Sequence, residues 1–116
     1  MYPKANVMIF GLWDGFSGYD NNSRKRGKME SMGAQFNRLI DFIRRSDVAQ
    51  DVDITFVDLM VDDPGASRDL IDSLLDKGYK LPFVMINERM RYTGDINIRN
   101  IYNEVKMIAE DGCAFC

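Results

Sequence analysis

The residues best suited to chemistry in this chain are Cys113 and Cys116, a single C-x-x-C in a sequence with no other cysteine. That spacing allows a dithiol/disulfide couple, or two of the four ligands of a thiolate metal site. A pair of incidental thiols on a polar tail is the third reading. One chain supplies only two thiolates, so a closed zinc or iron–sulfur site needs Cys113 and Cys116 from two copies; otherwise no cofactor is implied. Glu110, Asp111 and the carboxylate at Cys116 raise a nearby thiol pKa by like-charge repulsion, the reverse of what a strongly nucleophilic thiolate needs. The chain has no histidine. Ser-His and Cys-His catalysis are therefore excluded, as are histidine-bearing zinc sites.

The second cluster is Arg24-Lys25-Arg26-Gly27-Lys28, just ahead of a helical pattern. Cations beside a helix N-terminus suit a phosphate or carboxylate; the alternative is a solvated basic loop. Trp13, Phe16 and Tyr19 either line a pocket with it or, for Trp13 and Phe16, pack the loop onto a sheet. The methionines, eight in all, read as core filler.

The elements that must position these residues follow from periodicity. Asn6–Leu12 is an apolar run of strand length, buried on both faces if helices cover the sheet. Trp13–Lys28 is a loop longer than the usual connection of about 12–15 residues at most. Met29, Met32, Phe36, Leu39, Ile40 and Ile43 fall at helical spacing, so the pattern predicts a helix over Met29–Arg45. Asp53–Leu59 alternates as a strand. Ser67–Lys77 is a helix with Leu70, Ile71, Leu74 and Leu75 inward and Asp69, Asp72 and Asp76 outward, ended by Gly78. Phe83–Ile86 is a short buried strand entered through Pro82, where a missing N–H costs least. Asn87-Glu88 is a tight turn, Arg89–Tyr92 a half-covered strand, and Asn97–Ala109 a last helix. The crossover rule makes the first two strands parallel, and the last two form an antiparallel hairpin.

The order β-α-β-α-β-β-α, with Leu81-Pro82 before a strand and hairpin and Gly94-Asp95 before the last helix, resembles the thioredoxin/glutaredoxin superfamily over Asn6 to about Ile108. The run Pro82-Phe83-Val84-Met85-Ile86-Asn87-Glu88, with Gly94-Asp95 and Ile101-Tyr102, is similar to small bacterial thioredoxin-fold proteins described as putative disulfide oxidoreductases. The resemblance implies an α/β fold, a mixed four-stranded sheet with helices on both faces. It implies a cis Leu81–Pro82 peptide beside a pocket whose second edge is Gly94-Asp95. Those families carry a C-x-x-C after the first strand, where the helix dipole favours the thiolate. Trp13–Tyr19 holds none here, and Ser17 cannot replace it.

A chain of 116 residues, 46% hydrophobic, is one domain, read as residues 1–110 with a C-terminal C-x-x-C tail over 111–116. Net charge −3 argues against a general nucleic-acid binder. No apolar run reaches the roughly 18 residues of a membrane span, and no signal layout opens the chain, so the expectation is a cytosolic protein. Two functions of different class stand. One is thiol–disulfide exchange by Cys113 and Cys116 with a protein or thiol partner, beyond reach of the chain's own pocket. The other is a redox-inactive module holding a peptide or anionic ligand between Arg24, Lys25, Arg26, Lys28, Leu81, Pro82, Gly94 and Asp95. A homodimer sharing four thiolates is a further alternative. Whether the chain is an enzyme is left open.

Overall fold

The computed structural model describes residues 5–15 and 31–111. Its centre is β1 (Ala5–Gly11), which pairs in parallel with β2 (Val52–Asp58) and antiparallel with β3 (Phe83–Ile86). β4 (Arg89–Thr93) closes a sheet of order β2-β1-β3-β4. The helices are α1 (Met32–Arg44), α2 (Arg68–Asp76, after a 3-10 turn over Gly65–Ser67) and α3 (Ile98–Asp111). The chain is thus a mixed α/β fold with a four-stranded mixed sheet.

Strand alternation sorts the core into two clusters. Ala5, Val7 and Ile9 of β1 and Val84 and Ile86 of β3 pack with Leu39 and Ile43 of α1 and Ile101, Val105 and Ile108 of α3. Phe10, Phe83 and Met85 pack with Ile71 of α2, and Met8, Leu74 and Leu81 border them. β1 is buried along both sets because it lies inside the sheet. The β3–β4 hairpin turns through Asn87 (φ 51°) and Glu88 (φ 69°), the paired positive angles of a type I′ turn. Asn87 locks the turn to β1: its N–H donates to the Asn6 carbonyl and its Oδ1 accepts from the Asn6 N–H, both at 2.8 Å.

Four expectations are corrected. α1 begins at Met32 rather than Met29, because Ser31 is extended (φ −66°, ψ 159°) and its Oγ accepts the Ala34 N–H as the cap. On α2, Leu70 and Leu75 are 40% and 41% exposed rather than inward. At about 100° per residue they flank the stripe centred on Ile71 and Leu74, and a helix this short covers only that centre. Met60 and Met107 are 79% and 63% exposed, so the methionines are not all core filler. α3 continues to Asp111, beyond Ala109, where the sequence pattern ends it. No helix among the described residues is long and apolar enough to cross a membrane.

Candidate functional site

The C-terminal end of β1 is where three elements meet. A Cβ added to Gly11 would stand 2.8 Å from Met32 Sδ, 3.3 Å from the Phe56 ring and 3.4 Å from Pro82 Cβ. The start of α1, the edge strand β2 and the Leu81–Pro82 step therefore converge on a residue without a side chain. The Leu81–Pro82 peptide is cis. Pro82 is fully buried, and its carbonyl accepts the Gly94 N–H at 3.0 Å. Gly94, at φ 98°, takes a conformation that disfavours any side chain. Asp95, next to it, is exposed.

The first turn of an α-helix normally leaves N–H groups unpaired. Here they are used. Met32 N–H donates to the Gly15 carbonyl at 2.6 Å, Gly33 N–H to the Trp13 carbonyl at 2.9 Å, and Ala34 N–H to Ser31 Oγ at 3.1 Å. The buried Met32 thioether accepts the Leu12 N–H at 3.3 Å. Trp13 packs edge-to-face on Phe36 (5.9 Å between ring centroids) and Phe56 (5.0 Å). Its indole also lies over Gly33, where a Cβ would come within 2.4 Å of the ring. Of the two readings for Trp13, packing holds. The N–H donors of this helix end have protein acceptors, and the cations expected beside it, Arg24, Lys25, Arg26 and Lys28, lie outside the described residues.

Leu81, Pro82 and Gly94 are thus brought together, with Asp95 adjoining. Their grouping is a packed junction, since Pro82 faces the interior and Leu81 and Gly94 are only partly exposed. Arg24, Lys25, Arg26, Lys28, Phe16, Tyr19, Cys113 and Cys116 lie outside the described residues. Among the described residues no cluster of three or more Cys, Asp or Glu side chains could hold a metal ion.

A second region has no counterpart in the sequence reading. Between β4 and α3 lies a cleft of about 450 Å³. At its wall Glu104 binds two partners: Arg91 Nε contacts Oε2 at 2.7 Å, and the Tyr92 hydroxyl donates to Oε1 at 2.9 Å. Burial first, then the Glu104 carboxylate, pushes the Tyr92 phenol above its ordinary value. The same carboxylate raises the Arg91 guanidinium. Elsewhere on α3, Tyr102 hydroxyl and Lys106 Nζ both donate to Asp47, at 2.7 and 2.6 Å. These bonds hold the Asp47 carboxyl below its ordinary value. The sequence signal for the cleft is Arg89 and Arg91 on a strand followed by a helix with Asn100, Asn103 and Glu104, a mix of charges and amides that any water-facing strand and helix carry.

No family model matches the sequence, and no curated protein matches it. Among solved structures, the chain is similar to the crystal structure of a protein of unknown function from Staphylococcus aureus. The two share 14% identity and superpose with a TM-score of 0.66 over 92% of this chain and 93% of the other. At that identity the likeness shows the fold alone.

Proposed function

We propose that the chain is a thioredoxin-like domain, with α1 and α3 on one face of the sheet and α2 on the other, whose thiol chemistry is carried by Cys113 and Cys116 rather than by the β1–α1 junction. The observation that carries this reading is the filling of that junction. Met32, Phe56 and Pro82 crowd the side-chain position of Gly11, and the first-turn N–H groups of α1 already have acceptors. A junction so filled offers neither a thiol nor donors to stabilise a thiolate. The thiols of the sequence follow α3 instead. That helix, 14 residues long, carries the chain roughly 21 Å from its Gly94-Asp95 end at about 1.5 Å per residue. The dithiol therefore acts on a second molecule, a protein or low-molecular-weight disulfide.

In the step, one cysteine thiolate attacks a sulfur of the partner's disulfide. A mixed disulfide forms, and one partner thiolate leaves and takes up a proton. The second cysteine, as its thiolate, attacks this chain's sulfur in the mixed disulfide. The Cys113–Cys116 disulfide forms and the second partner thiol departs. Two electrons pass to the partner, and two protons follow. Glu110 and Asp111 keep the thiolate fraction low, so the exchange speeds up as pH rises. A cytosolic setting suits a couple that cycles against glutathione.

The test is thiol quantitation across graded glutathione or dithiothreitol buffers, with zinc and iron measured on the same sample. A single two-electron transition between about −180 and −300 mV supports the reading. Two thiols that never pair, without metal, would overturn it and leave a binding module. One metal ion per two chains would overturn it in favour of a shared four-thiolate site.

A further inference from the structure

β4 ends the sheet, and its side chains reach the cleft beside α3 in a way a regular strand does not allow. Residues 91 and 92 of a regular strand face opposite sides. Here Tyr92 pairs with Val84 and Met90 with Met85, so the register slips by one residue and Arg91 is the extra one. Such a bulge re-aims a side chain. Arg89, Arg91 and Tyr92 consequently all line the cleft. On the opposite wall Asn100, Asn103 and Met107 recur at helical spacing, so α3 presents them as one exposed stripe.

We infer that this cleft binds a small organic anion, a carboxylate or phosphate joined to an apolar body. Arg89 and Arg91 each have a partner within the chain, but a guanidinium carries five N–H donors, more than one such contact uses, and its planar fork is the side chain best matched to an oxyanion. Arg91 engages Glu104 through Nε, which leaves the terminal NH₂ groups of its guanidinium as further donors. Glu104 is a positioning residue. Both its oxygens are occupied, one by Arg91 and one by the Tyr92 hydroxyl, so its charge is countered within the wall. The Asn100 and Asn103 carboxamides can donate or accept and would read polar substituents. Met107, 63% exposed, offers a polarizable apolar contact for the body of the ligand. A volume near 450 Å³ lies within the range of about 300–1,000 Å³ of small-molecule pockets.

The test uses the full chain, isotopically labelled, titrated with 4-phenylbutyrate, phenyl phosphate, the neutral 4-phenylbutan-1-ol and inorganic phosphate. Expected are saturable amide shifts confined to β4 and the face of α3 bearing Asn100, Asn103 and Met107, with movement of the Asn100 and Asn103 side-chain signals. One or both aromatic anions should produce them, and which one does so separates a carboxylate ligand from a phosphate. Arg89→Gln should weaken binding roughly tenfold or more, and Asn103→Asp, which adds a repelling charge on an exposed residue, by at least as much. Equal binding of the alcohol would overturn the proposal, as would shifts that never saturate. So would equal binding of inorganic phosphate and phenyl phosphate, or wild-type affinity in both folded variants.

Discussion

The β1–α1–Pro82 junction and the β4–α3 cleft are built from similar materials to opposite ends. At the junction every donor of the first α1 turn that could face a ligand is bonded within the chain, and the space is filled by Met32, Trp13 and Phe56. At the cleft, charged and amide groups stand on an open wall, and one carboxylate holds two of them in place. A helix terminus is a binding site only when its donors are left over. Polar groups on regular elements become one when a bulge and a helical stripe make them converge.

The contrast predicts where substitution hurts. Met32→Ala should cost the most, about 2–5 kcal/mol in urea unfolding, because it empties a closed junction. A loss under 1 kcal/mol would mean the junction is looser than its geometry. Gly11→Ala should cost about 1–3 kcal/mol through overpacking against Met32, Phe56 and Pro82, in the same assay. Glu104→Gln, at the cleft, should cost about 1 kcal/mol. It should also mobilise the Arg91 side chain, read from its Nε–H signal. An unchanged signal would remove Glu104 from the positioning role. Asn103→Asp should change stability by under about 0.5 kcal/mol while weakening anion binding roughly tenfold or more, which separates function from fold at that wall.

The pH dependence sharpens the same picture. Tyr92 has a raised phenol pKa in the folded state. It binds its proton more tightly folded than unfolded, so its contribution is complete below the unfolded value of about 10 and is lost as pH rises through the folded one. Parent and Tyr92→Phe should therefore converge in melting temperature above pH 10. Asp47 behaves oppositely. Its carboxyl is lowered by Lys106 and Tyr102, so its small contribution is present above its unfolded value and disappears as pH falls below it. Asp47→Asn should remove that acid-side slope from a melting-temperature profile.

Much of the frame is legible in the sequence. Phe83–Ile86, the Asn87-Glu88 turn and the parallel β1–β2 pair follow from apolar runs, turn chemistry and the crossover rule, all local or nearly so. What went unread was relational. The sequence pattern of α2 cannot say that a nine-residue helix will cover only its central stripe, leaving Leu70 and Leu75 half exposed. Nor does Met32 announce itself as a plug, since a methionine at helical spacing looks the same whether it fills a core or a junction between elements. Arg91 and Tyr92 came to share the cleft only through a register slip opposite Val84 and Met85.

The sequence by itself determined the element order, the absence of histidine chemistry and the confinement of thiols to Cys113 and Cys116, because these depend on residue identity and short-range periodicity. Tertiary structure decided that the α1 terminus is closed and the β4–α3 wall is open. Whether a donor is spent or a cleft remains depends on which distant carbonyl, thioether or carboxylate packing brings within hydrogen-bond reach, and no spacing along the chain encodes that.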